Sequence, residues 1–92
     1  SERVPLLKNI DRYVEKGCTS GGTDRNFDSY GKKIGVLTEH QKALLCDPQT
    51  SGGLLVAVAP DSLTAFEELS AGLDLESIGQ ITEAADPLIT VN

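Results

Sequence analysis

The chain has 92 residues, a formal charge of −6 and only two Phe and two Tyr, so it reads as a single acidic domain (1–92) with an aliphatic core. A chain of this length is expected to bury roughly 60–65% of its unfolded surface, and its 39% hydrophobic and 24% charged residues argue against disorder. The acidity speaks against nucleic acid as a partner, and no apolar run approaches the ~20 residues that cross a bilayer. No signal peptide is legible at the start, and the opening Ser1-Glu2-Arg3 reads as a cut.

Taken in chain order, residues 5–16 read as a helix. Leu6, Leu7, Ile10, Tyr13 and Val14 recur at three- and four-residue steps, and Lys8, Asp11, Arg12 and Glu15 face outward. Gly17 stands where a left-handed cap is wanted. Residues 18–33 turn polar and glycine-rich and read as a long loop. A brief strand is expected at 34–37. Thr38 and Gln41 then have capping-box form and open a short helix to about Leu45, which Pro48 stops. The continuous apolar run 54–59, between Gly-Gly and Pro60, fits a strand buried on both faces. Asp61 or Ser62 can cap a helix running to about Ala71, ended by Gly72. Residues 76–82 and 88–91 read as two strands around a turn at 84–87, close enough to form a hairpin. The expected class is α+β, with helices packed on a mostly antiparallel sheet.

Two glycine-rich segments could bind an anion. In Ser20-Gly21-Gly22-Thr23, adjacent glycines let backbone N–H groups converge, and hydroxyls add donors. In Thr50-Ser51-Gly52-Gly53, glycine permits positive φ and close backbone approach to a ligand, while Thr50 and Ser51 could reach a phosphate oxygen. Asp47 could hold a metal ion or cap a turn. Neither segment has the spacing of a nucleotide-binding glycine motif, and on spacing alone an ordinary loop and a tight turn account for them. Cys18 and Cys46, far apart in sequence, read as free thiols in a reducing cytoplasm, with a single disulfide as the alternative, and His40 as a surface residue. No metal site, paired carboxylate or catalytic triad is legible.

The run Asp47-Pro48-Gln49-Thr50-Ser51-Gly52-Gly53-Leu54-Leu55 resembles a signature near the end of the bacterial selenophosphate synthetases, or selenide, water dikinases. Val4-Pro5-Leu6-Leu7, Gly21-Gly22-Thr23 with Arg25-Asn26, and Ile78-Gly79-Gln80-Ile81 resemble further family segments in the family's order, so the likeness spans nearly the whole chain. It implies a reaction in which ATP, selenide and water give selenophosphate, AMP and orthophosphate. It also implies a Mg2+ requirement, a cytoplasmic homodimer, and a truncated carboxy-terminal domain of the aminoimidazole-ribonucleotide synthetase-like fold. The selenophosphate would supply selenocysteine and selenouridine synthesis.

By the same resemblance, the catalytic Cys or selenocysteine and Lys lie in an amino-terminal ATP-binding half that this chain lacks, and that half binds most of the ATP and Mg2+. No catalytic residue or metal ligand is therefore expected here, and Cys18 is not the family's catalytic thiol. The D-[IV]-T-G-F-G segment that opens the family's carboxy-terminal half is also absent. The chain alone is expected to be inactive and, with an apolar face uncovered, marginally stable or weakly self-associating. Thr50, Ser51, Gly52 and Gly53 are the first phosphate- or selenium-binding candidates, and Gly21, Gly22 and Thr23 the second. The alternatives are a non-catalytic dimerisation or partner-binding module, and a superfamily relative such as a thiamine-phosphate kinase or a hydrogenase-maturation enzyme.

Overall fold

A computed structural model describes residues 2–92; Ser1, and with it the reading of that residue as a cut end, lies outside them. Four short helices follow in order: α1 (Ile10–Val14), α2 (Gly21–Tyr30), α3 (Glu39–Leu45) and α4 (Leu63–Leu69). A 3-10 turn, Gly31–Lys33, continues α2, and another, Pro60–Ser62, leads into α4. Both α1 and α2 pack on α3.

Each helix end has a local cause. α1 is shorter than the periodic pattern suggests because Asn9, at its start, takes a left-handed φ of 67° and offers no side-chain cap. At its other end Gly17 has φ 74°. The Gly17 N–H donates to Val14 O at 2.8 Å and the Cys18 N–H to Tyr13 O at 2.9 Å. This pair of bonds is a Schellman closure, which glycine permits without a Cβ penalty. α3 begins as the sequence predicts. The Gln41 N–H donates to Thr38 Oγ1 at 3.1 Å and the Thr38 N–H to Gln41 Oε1 at 2.9 Å, closing the capping box.

The expected loop at 18–33 is instead mostly helix. Ser20, with extended backbone, accepts the Gly22 N–H on its Oγ at 3.2 Å, and Asp24 places a carboxylate in the positive first turn of α2. The glycines that suggested a loop sit in that first turn.

The expected helix-on-sheet architecture is overturned. Among the described residues there is no strand ladder, only a single parallel bridge between Ile34 and Ile89. Two backbone bonds make it: the Gly35 N–H donates to Ile89 O at 2.7 Å and the Ile89 N–H to Lys33 O at 2.9 Å. The run 54–59 is non-helical and unpaired, with Leu54 95% exposed, and 76–82 forms no hairpin with 88–91. A strand buried on both faces needs neighbours along both edges and layers over both faces. No other described segment lies paired beside this run.

The core is correspondingly thin. Among the described residues Cys46 is the one buried apolar side chain, accompanied by Gly22 and Thr23. The accessible surface is 8138 Å2, against about 5200 Å2 for a compact monomer of this mass. Only about 43% of the unfolded surface is thus covered, well short of the expected share. The radius of gyration, 15.1 Å, likewise exceeds the ~12 Å of a compact chain of this length.

Candidate functional site

The first glycine-rich segment packs on the residue two positions ahead of the second. Gly22, on the first turn of α2, lies against Pro48, so that a Cβ built on Gly22 would come within 2.6 Å of Pro48 Cγ and 3.2 Å of Pro48 Cβ. One turn further along α2, Asn26 donates from Nδ2 to Cys46 O at 2.9 Å in a partly buried bond. Cys46 is the C-cap of α3, whose last carbonyls have no partner within the helix. Residues 46 and 48, the entry to the 47–53 loop, are therefore held against one face of α2.

Beyond that entry the loop is open. Thr50, Ser51, Gly52 and Gly53 are all exposed. A side chain at Gly53 would meet nothing within 4 Å, and one at Gly52 would meet only Gln49. Gln49 Nε2 donates to Asp47 Oδ2 at a long 3.4 Å. Gly21 is also exposed, whereas Gly22 and Thr23 are buried. The Gly22 and Thr23 N–H groups are already engaged, by Ser20 Oγ and by Ser20 O at 3.0 Å.

A shallow cleft of 300 Å3 opens between α1, α2 and α3, lined among others by Val14, Glu15, Thr23, Glu39 and His40. Thr23 is among its lining residues, and the Thr23 hydroxyl is buried with no hydrogen-bond partner. On the wall, the Lys42 ammonium pairs with Asp24 Oδ1 at 2.8 Å and stands 4.7 Å from the centre of the Phe27 ring. The hydrogen bond that the Lys42 ammonium donates to Asp24 raises the Lys42 pKa above the ordinary lysine value, aided by the charges of Asp24, Glu39 and Asp28 and opposed by desolvation. His40 Nε2 lies 3.1 Å from Asp11 Oδ1, tying α3 to α1. Both Cys18, exposed, and Cys46, buried, are free thiols. Among the described residues no group of three or more His, Cys, Asp or Glu is placed to hold a metal ion, and no helix is long and apolar enough to cross a membrane.

Sequence reasoning singled out both glycine segments but not the contact of Gly22 with Pro48. It also missed the Asn26 tether and the Asp24–Lys42–Phe27 cluster. The only prior signal for Asn26 was its place beside Arg25 in a stretch resembling the family. The pairing of Asp24 with Lys42 joins residues of two helices, one of which the sequence hid inside an apparent loop.

The chain is 48% identical to "Selenide, water dikinase" of Haemophilus influenzae (strain 86-028NP) over 93 residues, covering 99% of this chain and 27% of that relative. It is 50% identical to the protein of the same name from Colwellia psychrerythraea, covering 98% and 27%. With the Pseudomonas aeruginosa protein of that name the identity is 57%, covering 87% and 24%. Nearly all of the chain is thus homologous to proteins named selenide, water dikinase. The chain spans about a quarter of the length of these relatives. No protein-family model matches it. The aligned stretch takes in both glycine segments, since the first two relatives align with nearly all of the chain.

Proposed function

We propose that this chain is the carboxy-terminal part of a selenide, water dikinase that makes selenophosphate, AMP and phosphate from ATP, selenide and water, and that the fragment alone is inactive. The observation that carries this reading is about 50% identity to proteins of that name over nearly the whole chain. In the full enzyme, Thr50, Ser51, Gly52 and Gly53 face phosphate or selenium across a cleft whose other wall is the amino-terminal half. Their exposure and the open space at Gly53 leave hydroxyls and backbone accessible to a ligand. Gly21, Gly22 and Thr23 are the second candidates, with Gly22 packed on Pro48 at the entry to this loop. ATP and Mg2+ are held mainly by the amino-terminal half, as the resemblance to the family implies. The enzyme is placed in the cytoplasm as a homodimer.

The exposed apolar run beginning at Leu54 and Leu55 favours a second reading, a module that docks on the rest of the enzyme or on another subunit without touching substrate. Replacing Thr50 and Ser51 together by Ala in a full-length enzyme carrying this segment separates the two. Each hydrogen bond to a charged ligand contributes about 1.5–3 kcal/mol, so kcat/KM is expected to fall by at least about tenfold with the thermal midpoint nearly unchanged. Unchanged turnover removes both residues from the site and leaves the docking reading standing.

A further inference from the structure

We infer that Gly22 and Asn26 are positioning residues for the 47–53 loop, acting on a ligand only through it. The inference rests on the reading of that loop as the ligand-facing segment. Residues 22 and 26 lie four apart on α2 and therefore share one helix face. That face receives residues 46 and 48, two apart at the mouth of the loop. Gly22 makes room for the Pro48 ring, where even a methyl group would stand 2.6 Å from Cγ. Asn26 holds the preceding carbonyl, Cys46 O, at 2.9 Å, and the buried Cys46 side chain closes the corner. The assignment of Nδ2 as the atom facing Cys46 follows from the partner, since a carbonyl can only accept.

Direct ligand binding by this part of α2 is poorly served. Gly22 and Thr23 are buried and their N–H groups are taken up by Ser20. The loop itself has little else to hold it. From residue 49 to residue 53 every position is exposed, and the one side-chain bond is the long contact between Gln49 and Asp47. The direction in which Thr50 and Ser51 present their hydroxyls is thus set at residues 46 and 48. Adding a Cβ at Gly22 must displace Pro48 by about 1 Å, and a misplacement of that order costs up to ~100-fold in turnover when it moves a ligand-positioning group.

The test uses a full-length selenide, water dikinase carrying this segment. Variants Gly22→Ala, Pro48→Ala, the double variant and Asn26→Ala are compared for kcat, KM for ATP and thermal midpoint. Each is also combined with Thr50→Ala. Gly22→Ala is expected to lower kcat by about tenfold to a hundredfold. Removing the proline ring in the double variant should restore kcat to the level of Pro48→Ala alone. Asn26→Ala, which deletes one hydrogen bond and no packing shape, should lower kcat by about tenfold, and it carries the test if Gly22→Ala does not fold.

Because both residues act through the loop, Thr50→Ala should cost much less in the Gly22→Ala and Asn26→Ala backgrounds than in the unaltered enzyme. A general loss of stability would leave these effects additive. Additive effects, absence of rescue by Pro48→Ala, or full kcat in Gly22→Ala and Asn26→Ala would each overturn the inference while leaving Thr50 in the site. If Thr50→Ala alone leaves turnover unchanged, the functional reading of the loop falls and the inference falls with it.

Discussion

Replacing Leu54 and Leu55 together by Lys asks whether the most apolar stretch of the chain contributes to the stability of the chain alone. Burying a Leu side chain fully is worth about 1.5–3 kcal/mol. Leu54 is 95% exposed and Leu55 83%, so the two together draw on about a fifth of one such burial, or roughly 0.5 kcal/mol. In a domain of this size that shifts the thermal midpoint by about 2–4 °C. Circular dichroism at 222 nm, followed on heating, reads the total helix of α1 to α4. Sedimentation velocity over a range of concentrations should at the same time show less self-association, because two charges interrupt an exposed apolar surface. In a full-length enzyme, where this run is proposed to be covered, the same pair of substitutions should cost about 2–5 kcal/mol per residue. If the isolated chain loses its helical signal, or its midpoint drops by more than about 10 °C, the run is packed in the chain itself and the reasoning is wrong.

Two further outcomes follow from the helical cluster. Thr23→Val removes a buried hydroxyl that has no partner and should raise stability by about 1 kcal/mol; a midpoint lowered by several degrees would mean the hydroxyl is hydrogen-bonded in solution. The Lys42 pKa is raised in the folded chain, so its contribution is fully present below the ordinary lysine value of about 10.4 and is lost as pH climbs through the higher folded-state value. The midpoints of the unaltered chain and Lys42→Met should therefore differ by a constant amount from neutral pH to about pH 9 and converge only in stronger alkali. Convergence already by pH 9 would sink that account.

Features fixed within one turn of chain were legible in the sequence. The Thr38 and Gln41 pair specifies the start of α3 through two bonds that need no other segment. Gly17 takes the left-handed φ its position predicts. α2 was hidden because its first residues are glycines and its apolar side chains are few, although Ser20 carried the cap signal. The strands were misread for a different reason. An apolar run shows that a segment wants cover, but pairing requires another segment at the right distance, and that is a property of the whole assembly. Leu54 and Leu55 have the composition of a buried strand and stand in the open. In the candidate site, the Thr50–Gly53 segment was legible as a motif. Its support by Gly22 and Asn26 was not, since it joins residues about twenty positions apart.

The bridge between Ile34 and Ile89 bears on the order in which the chain assembles. It closes a loop of about 55 residues, and joining the ends of a flexible loop that long costs on the order of 3.5 kcal/mol. Its two backbone bonds contribute about 0.5–1.5 kcal/mol each, less than the closure they require. α1, α2 and α3, by contrast, lie within residues 10–45 and meet over short sequence distances. Short-range contacts of this kind form early, and long-range ones wait for them. The segment at Ile89 is thus the last to arrive in folding and the first to leave when the chain opens, and its departure takes nothing from the corner where α2 grips the loop.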